Sequence, residues 1–233
     1  DNNHLFEVSF SGVTVIGMNA FNGCDNLNTI NDHSSVIWVM NGALENTGWI
    51  TKRHDDTGLN VLGSVLVKYI GTSEMAEIPE NITYVADRAF SENRCKILCV
   101  PETDVIYSGS AFINNTSIEH IRFKGTEKEI TADDFKEAAK QGTENTLIDA
   151  SGNKVTGMTF RSDNSLMSLA NSLAGTPYMS SLYDEYCESI ILECSNEMTD
   201  QQLMDVIYTH AKKNIYYGFI YAENPYGIYK IDD

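Results

Sequence analysis

The residues most able to carry chemistry are five cysteines, Cys24, Cys95, Cys99, Cys187 and Cys194, and histidines that stand near acids or thiols. Thiolate catalysis needs a sulfur within hydrogen-bond reach of a base, commonly at a helix N-terminus. Cys187 and Cys194 instead fall on the apolar stripe of a predicted helix, where desolvation raises the thiol pKa and suppresses reactivity. His210 falls on the apolar side of the next predicted helix and could approach them, but a satisfied or partly exposed histidine is the reading the pattern favours. There is no CxxC pair, which argues against zinc and thioredoxin-like chemistry. An odd set leaves at least one thiol outside any intramolecular disulfide. Cys187 and Cys194 would lie about 10 Å apart along a helix, and Cys95 and Cys99 about 13 Å apart on an extended strand; both spans exceed disulfide reach. Reduced, buried thiols are therefore expected. His54-Asp55-Asp56 has the residue types of half a metal site and is read as a solvated insert loop. No GxSxG, Walker-A, HExxH, Rossmann or EF-hand pattern occurs, so the sequence predicts no enzyme activity, no catalytic residue, no metal and no cofactor.

Composition narrows the partners. The chain has 233 residues with 16 Lys plus Arg against 33 Asp plus Glu, a formal net charge of -17. That field repels phosphate backbones, so nucleic acid is excluded as an expected partner. The longest apolar runs, such as Val36 to Met40, fall far short of the ~20 residues that a membrane-spanning helix needs. The chain begins at Asp1 with neither Met nor a basic-plus-apolar leader, which a removed signal or a clipped chain would equally explain.

The elements that must position these residues announce themselves by repetition. An Ala-aromatic pair recurs at Ala20-Phe21, Ala89-Phe90 and Ala111-Phe112, with a weaker copy at Ala43-Leu44. The spacings are about 23, twice 23 and 22, inside the leucine-rich-repeat range. Val13, Val15, Ile16 and Gly17 precede the first pair at the same offsets as Ile82, Tyr84, Val85 and Ala86 precede the third. Leu27 and Ile30 follow Phe21 as Ile118 and Ile121 follow Phe112; around Phe90 the expected counterparts are Ile97 and Val100, one residue late, implying a single insertion. Ile118, Ile121 and Phe123 make the LxxLxL spacing of a short strand with inward apolar residues. One such unit cannot bury its apolar face alone, so neighbours must stack.

The run from Val13 through Ala20-Phe21-Asn22-Gly23-Cys24 to Leu27 resembles the BspA-like leucine-rich repeats of bacterial surface proteins, in which an Ala-Phe pair precedes Gly-Cys and then Leu. The stretch from Ala43 through Trp49 to Ile78-Pro79 is similar to a hairpin-bearing variant of that repeat, with Gly63-Ser64 as a two-residue turn between Val61-Leu62 and Val65-Leu66. Asn93-Arg94 and Asn115-Thr116 depart from Gly-Cys in the later copies, and Asp32 to Val36 matches poorly. The resemblance implies that Cys24 is a repeat core residue, and it implies a secreted or cell-surface recognition module that binds protein or glycan.

The second half reads differently. Thr131 with Asp134 predicts a capping box opening a short helix that Gly142 would stop. Thr146 to Asp149 and Val155 to Phe160, joined by Ser151-Gly152-Asn153, predict a hairpin. Together these would cap the solenoid. From Thr176, with Pro177 at the first helical position, the stripe Met179, Leu182, Tyr183, Tyr186, Cys187, Ile190, Ile191, Cys194 predicts one helix. Thr199 to Gln202 predicts the capped start of a second, which buries Leu203, Val206, Ile207 and Ala211, carries Lys212 and Lys213 in its last turn and ends at Gly218. Met198 to Tyr217 resembles the helix that leads into a transglutaminase-like domain, without that family's Cys, His and Asp motif. The later tyrosines, Tyr216, Tyr217, Tyr221, Tyr226 and Tyr229, could stack on carbohydrate or peptide, but packing on the helices or against sequence downstream is the favoured expectation.

The expected architecture is thus α+β: a leucine-rich-repeat solenoid with a hairpin insert over 1–130, a capping helix, hairpin and connector over 131–175, and a helical hairpin over 176–233. Glu119, His120 and Arg122, the non-core positions of the last matched strand, are the candidate ligand-facing residues. The alternative expectation is the targeting arm of a transglutaminase-like enzyme whose catalytic core lies past Asp233.

Overall fold

A computed structural model describes residues 2–126, 128–141, 146–148, 153–160 and 165–175, together with 198, 199, 201, 202, 204–206 and 209. Two compact units result, Asp1–Tyr178 and Met179–Asp233. In the first, the chain winds as a solenoid whose coils carry short strands in two columns, except that both strands of coil 3 lie in one. Coil 1 holds β1 (Glu7–Ser9) and β2 (Val15–Ile16), and coil 2 holds β3 (Thr29–Asn31) and β4 (Trp38–Val39). Coil 3 has the short helix α1 (Gly48–Thr51), then β5 (Leu59–Leu62) and β6 (Val65–Tyr69). Coil 4 holds β7 (Met75–Glu77) and β8 (Tyr84–Val85), coil 5 β9 (Ile97–Val100) and β10 (Ile106–Tyr107). β11 (His120–Phe123) opens the next coil and is closed by β12 (Glu129–Thr131). Pairing from coil to coil is parallel, as in β7 with β9 and β9 with β11. It turns antiparallel where β5 folds back on β6 and where β12 closes β11.

The repeat pair supplies the core. Phe90, Ala89 and Ala111 are fully buried and Phe112 nearly so. The Phe90 and Phe112 rings stack with centroids 5.0 Å apart and planes 11° apart. Small alanines let the neighbouring backbones approach: the Phe21 amide donates to the Ala43 carbonyl at 2.8 Å, and that of Phe90 to the Ala111 carbonyl at 2.8 Å. Ala43 and Leu44 are buried as well. The first pair departs from the expectation: Ala20 is exposed and Phe21 only half-buried. Among the described residues no coil lies outside coil 1, and Phe21 leans instead on Phe10, 5.5 Å away.

The ring that the sequence left out of coil 3 is Tyr69. Its amide donates to the Ala89 carbonyl at 2.8 Å, the bond that Phe21 and Phe90 make to the coils after them. Its ring lies 5.6 Å from Phe90. Lys68 takes the place that alanine holds elsewhere. The predicted register around Phe90 also needs correction. Leu98, fully buried, pairs with Ile121, whereas Ile97 pairs with His120 and is half-buried. The segment from Phe90 to its strand partner Leu98 is therefore one residue shorter than those from Phe21 to Ile30 and from Phe112 to Ile121, not one longer.

The predicted hairpin turn at Gly63-Ser64 is present, with Leu62 opposite Val65. Gly63 has φ +57, and a Cβ there would run into the Val36 carbonyl, so both the turn and the close approach require glycine. Asn93 and Asn115, the departures from Gly-Cys, do the turn's hydrogen bonding: each donates its side-chain amide to the Phe90 carbonyl, and their oxygens accept from Cys95 and Ser117 amides.

Thr131 caps α2 (Ala132–Lys140), accepting from the Asp134 amide at 3.1 Å and donating to its carboxylate. Phe135 of α2 is fully buried between Phe123 and Phe160. The expected hairpin is β13 (Thr146–Ile148) with β14 (Lys154–Thr159). An element that the sequence reading missed, α3 (Ser165–Leu173), closes the other column. Its buried Ser168 hydroxyl accepts from the Tyr107 amide at 3.1 Å, and Ser172 donates to the Ser108 carbonyl at 2.6 Å. These serines give β10 the partners that a further coil would have given.

In the second unit the predicted capping box is present: the Thr199 amide donates to Gln202 Oε1 at 2.9 Å, and the Gln202 amide to Thr199 Oγ1 at 3.4 Å. Gly142, Ser151-Gly152, the helix expected from Thr176, Cys187, Cys194, His210, the Lys212–Lys213 pair and the tyrosine-rich tail lie outside the described residues.

Candidate recognition surface

Alternation along β7, β9, β11 and β12 turns one set of side chains into the core and the other outward. The outward rows are Met75–Ile97–His120–Thr131 and Glu77–Cys99–Arg122–Glu129. Glu129 gathers the first of these charges. Its Oε2 accepts from Arg122 Nη2 at 2.7 Å and Nε at 3.1 Å, and its Oε1 lies 3.1 Å from His120 Nδ1. Lys124 reaches Glu77 at 3.1 Å and Glu80 at 3.5 Å, and Lys96 reaches Glu74 at 3.3 Å. The face is a lattice of half-exposed ion pairs, each worth little to stability.

The three residues singled out from sequence thus divide. Glu119 is exposed, and with His120 it lines a groove of about 440 Å³ beside Thr131, Asp133, Lys136 and Leu173. Arg122 is not part of that groove; it shares Glu129 with His120 on the sheet.

The larger concavity, about 660 Å³, was not anticipated. Its origin lies in the backbone of coil 3. The other coils bulge through a turn around the Ala-aromatic pair, whereas β6 runs extended beneath, two residues shorter from strand start to ring than coil 4. Coils 2 and 4 therefore overhang a slot. Gly42 to Asn46 form one wall, Ala86 to Arg88 with Ser91 and Glu92 the other, and Val67, Lys68 and Ile70 lie between. Arg88 spans the gap to Glu45 Oε1 at 2.6 Å. Lys68 Nζ donates to the Arg88 carbonyl at 2.8 Å and to Ser91 Oγ at 2.7 Å, and burial lowers its pKa. Asp87 accepts from the Ser108 and Ser110 hydroxyls.

The turns that overhang the slot use left-handed backbone at fixed positions. Before the alanine these are Asn19, Gly42 and Arg88; two residues past the ring position they are Gly23, Asn46, Glu92 and Asn114. Asn and Gly suit that conformation, whereas Arg88 and Glu92, both at φ +58, cost about 1–2 kcal/mol each. The signal available in the sequence was the gap of two periods between Ala43 and Ala89, with charged residues at turn positions in the coil after it.

The thiols are placed for packing. Burial pushes Cys95 up from an ordinary 9.0 to about 11, and Cys99 is raised by burial and then by the Glu77 carboxylate. Cys24 is buried in coil 1. His54 stacks on the Trp49 ring at 4.6 Å and bonds the Trp49 carbonyl at 2.9 Å. The Asp55 carboxylate is taken up by the Thr57 hydroxyl and the Thr57 and Gly58 amides, which lower its pKa. His54-Asp55-Asp56 therefore builds a loop. Among the described residues no group of three His, Cys, Asp or Glu side chains is arranged to hold a metal, and no helix is long and apolar enough to cross a membrane.

Residues 2–91 and 71–167 match the family model of the BspA type leucine rich repeat region, in six copies. No curated protein and no solved structure gives a significant match.

Proposed function

The chain belongs to the BspA-type leucine-rich-repeat family, and from that membership we propose that it is a non-catalytic recognition or adhesion module, secreted or displayed on a bacterial surface, that binds a protein or glycan through its repeats. The family match supports a repeat-based binding module. The observation that carries the reading furthest is the slot at coil 3, a concavity with charged walls on a scaffold whose core is closed by stacked rings. A rigid solenoid holds many side chains in fixed register, which suits recognition. Among the described residues, the buried, raised thiols of Cys95 and Cys99 support packing roles for these two cysteines rather than nucleophilic ones.

Binding of the 233-residue chain to peptide and glycan arrays tests the recognition role, and protease shaving of intact cells that express the parent protein tests its location. Saturable binding on either array and loss of the protein from unlysed cells are expected. No binding on either array, or protection until lysis, would overturn the corresponding part. A second reading, the targeting arm of a transglutaminase-like enzyme, is favoured by the capped helix start at Thr199–Gln202 within the stretch that resembles that family's lead-in. It requires a Cys, His and Asp set past Asp233 in the parent reading frame.

A further inference from the structure

The slot has unmet backbone donors along one wall. In coil 1 the amides of Asn19, Phe21 and Gly23 donate to the carbonyls of Asn41, Ala43 and Glu45 in coil 2, at 3.2, 2.8 and 3.1 Å. In coil 4 Arg88 and Phe90 donate likewise to Ser110 and Ala111 of coil 5, at 3.0 and 2.8 Å. The matching amides of coil 2 belong to Gly42, Leu44 and Asn46, and they find no acceptor among the described residues. Coil 3 has no turn at that level to accept from them. The opposite wall is served: the Lys68 ammonium meets the Arg88 carbonyl, and the Tyr69 amide meets that of Ala89.

We propose that the slot is a peptide-binding site, in which an extended segment of a basic partner polypeptide lies between the coil 2 and coil 4 turns and offers its backbone carbonyls to the amides of Gly42, Leu44 and Asn46. Donors on alternate residues are the spacing of a strand edge, which pairs with an added extended chain. A free anion would satisfy the same amides, but Glu45, Asp87 and Glu92 outnumber Lys68 and Arg88 along the slot, and the whole chain carries -17. Neutral carbonyls on a cationic chain avoid that repulsion, and the same field speeds the encounter. Arg88 bridges the gap to Glu45, and a cationic side chain of the occupant can take its place on that carboxylate. Val67, Ile70 and Ile113 give a side chain of the occupant apolar contact. The strained backbone at Arg88 and Glu92 fits a wall in which side-chain identity outweighs turn preference. This site rests on the recognition role proposed above and names its partner class.

The test uses the whole 233-residue chain and a random displayed-peptide library, with the selected peptides then synthesised. Thr51→Trp fills the slot from an exposed position, and Glu92→Lys reverses one charge on the wall. Selected peptides should be rich in Lys and Arg, lose about tenfold or more in affinity for each variant, and shift the amide resonances of Gly42, Leu44 and Asn46 in labelled wild-type protein. Unchanged melting of the two variants separates a filled slot from a misfolded one. Peptides that bind Thr51→Trp as well as wild type, or that leave the three amides unmoved, would overturn the slot while sparing the recognition role. So would binding confined to a glycan array. Failure of both peptide and glycan libraries would sink the recognition role with it.

Discussion

Phe90→Ala is the perturbation that tests the stacked core. Phe90 is fully buried, with Phe112 stacked 5.0 Å away on one side and Tyr69 5.6 Å away on the other. Truncating a buried Phe costs about 3–5 kcal/mol through lost transfer energy and an unfilled cavity. Two ring partners lose their contacts together, which points to the upper half of that range. At about 2–4 °C per kcal/mol for a chain of this size, melting should fall by roughly 8–20 °C. Phe21→Ala supplies the internal control. Phe21 is half-buried and has one ring partner, Phe10, so about half the loss is expected. Urea unfolding should be followed by circular dichroism and by the fluorescence of Trp38 and Trp49, which report on coils 2 and 3, because nearest-neighbour coupling lets the two ends of a solenoid unfold apart. Phe90→Ala within about 1 kcal/mol of wild type, or Phe21→Ala costing more than Phe90→Ala, would refute the reasoning.

Gly63→Ala should destabilise by about 1–2 kcal/mol from left-handed backbone alone, and by more because its Cβ meets the Val36 carbonyl; urea midpoints indistinguishable from wild type would contradict the turn. Thr131→Ala should cost about 1 kcal/mol by removing the α2 cap, read from the same titrations. Cys95 ties stability to alkaline pH. Its folded pKa is raised from 9.0 to about 11, so between those values the unfolded chain binds fewer protons and stability falls as pH rises. The loss should approach about 2–3 kcal/mol by pH 11 and be absent in Cys95→Ala. Below pH 9 the Cys95 thiol should label slowly in native protein, and rapid stoichiometric labelling would show it to be accessible.

Legibility followed how directly each feature is written in residue type. The Ala-Phe pairs, the Gly63-Ser64 turn and the Thr131 cap carry local signatures, and all three were readable. Tyr69 was not, because an extended coil reaches the ring position in fewer residues than a turned one and so breaks the period. A separate one-residue shortening between Phe90 and Leu98 moved the strand register there, where matching the apolar residues had pointed to Ile97. α3 escaped because Ser165, Ser168 and Ser172 are buried beside Leu166, Leu169 and Ala170, and serines interrupt the apolar stripe until β10 is seen to need hydrogen-bond partners. Glu119 and His120, named only as non-core positions of the last matched strand, line a groove whose other wall comes from α2 and α3, and Arg122's place beside Glu129 depends on β12 folding back. The slot was invisible because it arises where a turn is missing, and its charged lining comes from residues 45, 68, 88 and 92, in three different coils.

Amide hydrogen exchange in the unliganded chain tests most directly the claim that coil 3 runs straight and leaves coil 2 unpaired. Backbone amides bonded to the next coil exchange only through opening of the solenoid. The amides of Phe21, Tyr69 and Phe90, which donate to Ala43, Ala89 and Ala111, should exchange slowly. The amide of Leu44 should exchange fast although its side chain is only 2% exposed, and those of Gly42 and Asn46 should be fast with it. Protection of Leu44 equal to that of Phe21 and Phe90 would mean that coil 3 supplies the missing turn after all, and that the slot is not there.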